Sequence, residues 1–191
     1  MTKRLLIFIS VCLLFFYNVS FPTFLHLSNK DVMYYKVLQQ RYPWLDMPLY
    51  CLIVERAMIC KLDPIFVCSL IQYESGGKIT ALSKSKARGL LQVKACHLKG
   101  TKLTVRDLYK PFTNLRLGCN YFIFCRQRAR RDMVEALRMY NQGHFADRDE
   151  YKNWKYVENI LNAYNFVKNG VKSTIVLING RAYLIAIAEI L

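Results

Sequence analysis

With 191 residues, 53% of them hydrophobic and 14% aromatic, the chain has the apolar mass to bury one core, which excludes general disorder and leaves no room for a second full domain. Lys and Arg number 28 against 13 acids, and the formal charge of +15 calls for an anionic partner. Nucleic acid, membrane surface and acidic wall polymer all satisfy that requirement, and charge alone does not choose among them.

In chain order, Lys3-Arg4 precede an apolar run from Leu5 to Tyr17, a positive n-region followed by an h-region of signal-peptide length. The run is short for a span of about 20 residues. Val19, Phe21, Phe24 and Leu25 continue it, however, and no small-x-small site follows cleanly. Residues 1–28 are therefore read as a signal peptide or an N-terminal membrane anchor. Cys12 follows Ile9-Ser10-Val11, a poor lipobox because Val is bulky. The six other cysteines, at 51, 60, 68, 96, 119 and 125, permit disulfides without requiring them. On one helix Cys119 and Cys125 stand about 240° apart and cannot bridge each other.

A first helix is expected over 31–42, broken by Pro43 and Trp44, with Pro48 in the first turn of the next. Asp63-Pro64 is a stronger start signal, an N-cap followed by Pro. Phe66, Leu70 and Tyr73 then share a face, and the helix ends at Glu74-Ser75-Gly76-Gly77. After a loop-rich stretch holding the apolar patch Gly89 to Val93, a long helix is expected from Asn114 to a basic end at Arg130, with Leu117, Tyr121 and Phe124 aligned. Asp132 to Glu135 reads as a capping box opening a helix to about Tyr140, broken at Asn141-Gln142-Gly143. A last helix spans about 149–168. In the tail, two apolar β-rich runs flank Asn179-Gly180, a strong hairpin signal. The domains are accordingly residues 1–28 as leader or anchor, 29–168 as a helical domain, and 169–191 as a C-terminal β-hairpin extension.

Glu74 is the residue with chemical promise. A side chain that serves as a catalytic acid near neutrality must hold its proton, whereas a free Glu ionises near 4.3. The end of an apolar helix pushes the right way, since desolvation and the negative end of the macrodipole both disfavour the carboxylate. Taken alone, a Glu before Ser-Gly-Gly is a solvated helix end. The surrounding motifs change that reading.

Glu74-Ser75, then Ser83, then Ala87-Arg88-Gly89-Leu90-Leu91-Gln92 resemble the ES, S and GARGLMQ motifs of soluble-type lytic transglycosylase domains. Asp107-Leu108, Pro111, Asn114, Leu117-Gly118 and Tyr121 resemble the family's next segment. Met139-Tyr140-Asn141-Gln142-Gly143 resembles AYNAG, and Tyr156-Val157 the closing YV. The series covers roughly residues 63 to 164 in the right order. The resemblance implies a mainly α, lysozyme-like helical domain with a two-lobed glycan groove. It also implies cleavage of the β-1,4 bond between N-acetylmuramic acid and N-acetylglucosamine, leaving a 1,6-anhydro end. Glu74 would be the acid and then the base. Gln92 and Asn141 would hold the sugars, with Tyr140 lining the groove, Tyr156 bonding the catalytic carboxylate, and Ser75 orienting the N-acetyl group or the carboxylate.

Ordinary glycosidases use two carboxylates, and no second acid sits in a matching motif. Asp63 reads as a cap, Glu135 as half of a capping box, and Asp147, Asp149 and Glu150 as a solvated loop. Tyr140, Tyr156 and Gln92 also have plain readings, as core aromatics and a loop amide. The family often has an aromatic and a Pro after the ES pair, where this chain has Gly77 and Ile79, so the loop after Glu74 is expected to be less braced. The Gly pair is similar to goose-type lysozymes, which hydrolyse, so a hydrolytic muramidase stays open beside a non-catalytic peptidoglycan-binding assembly protein. No zinc spacing or phosphate loop occurs, and a cofactor is not implied. The expected partner is the peptidoglycan glycan strand, with envelope-spanning machinery by analogy and membrane contact through the N-terminus. Nucleic acid is opposed by the export signal. Export to the periplasm or cell envelope is expected, with inner-membrane anchoring left open.

Overall fold

The computed structural model describes residues 29–143, 145, 147, 149–178 and 181–188; the expected leader and the Asn179-Gly180 turn lie outside them. Among the described residues six α-helices carry the fold: α1 (Asn29–Arg41), α2 (Met47–Cys60), α3 (Pro64–Ser75), α4 (Pro111–Arg128), α5 (Met133–Gln142) and α6 (Trp154–Gly170). Two strands, β1 (Val171–Ile178) and β2 (Arg181–Ala188), pair antiparallel from Val171↔Ala188 to Ile178↔Arg181. The protein is mainly helical. No helix among the described residues is long and apolar enough to cross a membrane.

The helix starts follow from the local sequence. Asp46, Asp63 and Asp132 each accept a hydrogen bond from a first-turn amide, at Leu49, Ile65 and Glu135 respectively. Proline fills the first turns of α2, α3 and α4, where a missing N–H costs nothing. Gly76 ends α3 in the left-handed conformation at φ 60°. One expectation is corrected: Glu135 does not complete a capping box with Asp132. Its carboxylate forks onto Arg138 at 3.0 Å and 2.7 Å, because Arg138 is buried and needs its charge answered. The reciprocal box forms instead at Thr104, whose backbone amide and hydroxyl both donate to Asp107 at 2.7 Å. The last helix also starts later than expected, at Trp154, leaving Asp149 and Glu150 exposed in the loop before it.

The core sits between α3 and α6 on one side and α2, α4 and α5 on the other. Phe66 of α3 meets Phe122 of α4 with ring centroids 4.7 Å apart and the edge of Tyr164 of α6 at 5.8 Å. The buried face of α4 is Leu115, Cys119, Phe122 and Cys125. The aligned Leu117, Tyr121 and Phe124 lie on its partly exposed face. Both stripes have helical spacing, and only the partner helices decide which one is covered. Gly118 lets α4 come close to the loop, since an added Cβ there would stand 2.6 Å from that of Leu91.

The loop after Glu74 is braced from the N-terminal side, contrary to the expectation drawn from Gly77. The Trp44 ring lies against Gly77, whose φ is 77°, and a Cβ added there would meet ring carbon Cγ at 2.2 Å. Trp44 is in turn fixed by its indole N–H, which donates to Gln72 Oε1 at 2.7 Å, and by the Tyr42 ring at 5.6 Å. The bracing ring thus reaches this loop from outside it. Gly77→Ala combines a steric clash with a left-handed φ, and is expected to cost about 2–4 kcal/mol in denaturant melts. Gly100→Ala, at a glycine of similar φ with nothing within 4 Å, is the control, with the smaller loss.

Candidate active site

The last turn of α3 delivers Glu74, and the first turn of α6 delivers Tyr156, whose phenol donates a short hydrogen bond to Glu74 Oε1. The two helices pack together, with Asp63 at the start of α3 bonded to Tyr164 further along α6 at 3.1 Å. They therefore run antiparallel, and the end of one meets the start of the other. Burial raises the Glu74 carboxyl from 4.5 to about 7, and the Tyr156 bond offsets part of that rise. Among the described residues no neighbouring carboxylate is a cause of the shift. A lone carboxyl is thus poised between its two protonation states near neutral pH.

Three tyrosines feel its charge. The charge of Glu74 adds to burial in raising Tyr140, Tyr151 and Tyr156, which places all three within its field and keeps them neutral. Tyr140, on α5, is buried and donates its hydroxyl to the Leu91 carbonyl at 2.8 Å. Tyr151 donates to Asn141 Oδ1 at 3.1 Å, and Asn153 donates to the same oxygen at 3.5 Å. The Asn141 side-chain oxygen is thereby held from two sides. Ser75 donates to the Ile71 carbonyl at 3.3 Å within α3.

Gln92 comes from the loop between α3 and α4. The chain there folds back through bridges between Leu82 and Arg88 and between Arg88 and Val93. Gln92 has a φ of 46° and its amide donates to the Gly89 carbonyl at 3.0 Å. A left-handed non-glycine residue persists only where its surroundings hold it. The holder is Asn114, buried on α4: its oxygen accepts from the Leu91 amide at 2.7 Å, and its nitrogen donates to the carbonyls of Arg88 at 2.8 Å and Leu108 at 2.7 Å. Gly89, at φ 73°, leaves room for that amide, since a Cβ would stand 2.4 Å from it.

The structure thus joins Glu74 directly to Tyr156, and links Asn141 to Tyr151 and Gln92 to the turn whose Leu91 carbonyl receives Tyr140. Tyr151 was missed in the sequence because nothing at its position distinguishes it from the exposed residues around it. Arg138 was missed too; it ties Glu135 to Gln142 at 2.8 Å, and Gln142 bonds the Asp147 carbonyl at 3.2 Å, which shapes the loop leading to Tyr151. Among the described residues no group of three or more His, Cys, Asp or Glu side chains could hold a metal ion.

The family model described as the Transglycosylase SLT domain matches residues 52–162. Among solved structures, an inactive mutant of the lytic transglycosylase Slt from Pseudomonas aeruginosa is similar at 21% identity and a TM-score of 0.58, over 69% of this chain and 25% of that one. The soluble lytic transglycosylase Slt70 of Escherichia coli is similar at 18% identity and a TM-score of 0.57, over 68% of this chain and 25% of that one. The chain spans about a quarter of the length of each, and the likeness is one of fold: a lysozyme-like arrangement of helices. No curated protein matches the sequence.

Proposed function

The chain belongs to the transglycosylase SLT domain family, and from that premise we propose that it is a peptidoglycan lytic transglycosylase with Glu74 as its single acid and base. The observation that carries the reading is the Glu74 carboxyl, raised to about 7 by burial and held by Tyr156. Protonated Glu74 gives its proton to the oxygen between N-acetylmuramic acid and N-acetylglucosamine as the bond to carbon 1 breaks. The carboxylate left behind takes the proton of the muramoyl carbon-6 hydroxyl, whose oxygen closes onto carbon 1. The products are a 1,6-anhydro end and a free N-acetylglucosamine end, with no water consumed and Glu74 returned to its acid form. A group ionising near neutrality serves both halves, since it gives and takes the proton at comparable cost.

Ser75, Gln92, Tyr140 and Asn141 bind the sugars in a groove between two lobes, and Tyr156 positions the carboxylate. Residues 29–168 form the catalytic domain, with 169–191 as an extension and 1–28 as leader or anchor. The enzyme acts outside the cytoplasm on glycan strands of the envelope, in the service of envelope-spanning machinery.

Tyr156→Phe removes the bond that lowers the Glu74 carboxyl. It is expected to slow cleavage about 10- to 100-fold and to move the alkaline limb of kcat/KM upward from near pH 7. A purely structural role for the hydroxyl would lower the rate without moving that limb. The reaction class is tested by mass spectrometry of products from purified peptidoglycan treated with the protein, beside Glu74→Gln. Anhydro-muropeptides from the wild type alone are the expected result. Reducing ends would make it a hydrolytic muramidase, and intact glycan would leave a wall-binding protein.

A further inference from the structure

The C-terminal half of α4 carries a face that the chemistry at Glu74 does not use. A cleft of about 380 Å³ opens there beside the end of α2. Ile59, Ile123 and Phe124 contribute apolar surface to its lining, and Lys61, Arg126 and Gln127 contribute charge and an amide. Phe124 joins this cleft to a second cluster. The Arg128 guanidinium lies over its ring at 5.8 Å and over the ring of Phe145, from the loop after α5, at 5.9 Å. Ile59 is 60% exposed, Phe124 39% and Phe145 86%, so three large apolar side chains meet solvent among cations.

The charge along this stretch is of one sign. Arg126, Arg128, Arg130 and Arg131 crowd the end of α4, and no acid occurs between Asp107 and Asp132. Arg130 and Arg131 take left-handed backbone, at φ 51° and 71°, where glycine is usual. Their amides are tied back to the Gln127 carbonyl at 3.1 Å and the Arg126 carbonyl at 2.8 Å. The turn thus sets two further exposed cations next to the cleft.

We propose that this face docks on the surface of an anionic phospholipid bilayer. Charge complementarity requires a negative partner, and the apolar residues select among the negative ones. An acidic polymer answers the arginines but has nothing to cover Ile59, Ile123 and Phe145. Bases of a nucleic acid would stack on the rings, yet leave the aliphatic side chains in water. A lipid surface answers both. Headgroup phosphates accept from Lys61 and the arginines, whose long stems let the charges stay at the phosphates while Phe145, Ile59 and Phe124 enter the boundary of the acyl chains. The contact belongs to the helical domain and is separate from the one expected of residues 1–28. It is also independent of the chemistry at Glu74. Phe145 shares the loop between α5 and α6 with Tyr151, so docking bears on a segment that also bonds Asn141.

The test places the full chain on phosphatidylcholine vesicles with and without phosphatidylglycerol, each holding a trace of photoreactive phosphatidylcholine, and maps lipid adducts after illumination and tryptic digestion. Adducts on peptides 57–61, 117–126 and 139–148 are expected, about fivefold or more abundant when phosphatidylglycerol is present. Arg128→Glu combined with Arg131→Glu should lower them about tenfold. Phe145→Ser should remove the adducts on 139–148 and leave the Tm unchanged, since the residue is exposed. Adducts confined to residues 1–28, or none at all, would overturn the proposal and leave the face to an acidic polymer or protein. Equal labelling on both vesicles, or labelling that survives both variants, would overturn it as well.

Discussion

Glu74→Gln is expected to reduce glycan cleavage by at least about a thousandfold while making the folded protein more stable at neutral and alkaline pH. Glutamine keeps the shape and accepts the Tyr156 hydrogen bond but carries no transferable proton, so the loss falls on chemistry. The stability gain follows from proton linkage. The Glu74 carboxyl ionises near 4.5 when unfolded and near 7 when folded, because burial favours the neutral form. The folded state therefore binds the proton more tightly. Its advantage is fully present below about pH 4.5, declines as pH rises through the interval to about 7, and is gone above it. Glutamine never suffers that decline. The variant should match the wild type in acid and exceed it above neutrality by up to roughly 3 kcal/mol. Thermal melts at several pH values, paired with release of soluble muropeptides, check both halves.

Asn114→Ala should have the largest effect on stability. Its side chain makes three bonds of 2.8 Å or less, to Arg88, Leu91 and Leu108, and it is 1% exposed. Truncation leaves the Leu91 amide and the Leu108 carbonyl buried without that partner, at about 1–3 kcal/mol each, and opens a small void besides. A loss of about 3–4 kcal/mol is expected, a fall in Tm of roughly 6–16 °C for a domain of this size. Activity should fall further than unfolding explains, because the Leu91 turn carries Gln92 and receives the Tyr140 hydroxyl. Asn114→Asp separates the parts. It can still accept from the Leu91 amide but sets a carboxylate against two carbonyls, so it should also be unstable, and more so as pH rises above the carboxyl's own titration.

The helix starts at Asp63 and Asp132 were legible because capping is local: each answers an amide within three residues. The burial of α4 was not, since Leu117-Tyr121-Phe124 and Leu115-Phe122 have equally good spacing and only the facing helices choose between them. Glu135 shows the same limit at closer range. Its spacing from Asp132 suits a capping box, yet the buried guanidinium one turn on takes the carboxylate instead. In the site, the bond between Glu74 and Tyr156 spans 82 residues, and nothing local encodes it; only the order of motifs pointed to both. Trp44 and Asn114 act as braces through contacts made at a distance along the chain, and Tyr151 is marked only by its hydrogen bond to Asn141.

The chemistry turns on one carboxyl that keeps its proton close to neutrality, and that is directly measurable. With glutamate labelled by carbon-13 at its side-chain carboxyl, the resonance missing from Glu74→Gln identifies Glu74, and its chemical shift followed against pH reports its ionisation. A midpoint near 7, moving upward in Tyr156→Phe, is the expected result. A midpoint near 4.5 would leave Glu74 ionised at neutral pH, and would contradict its role as the acid.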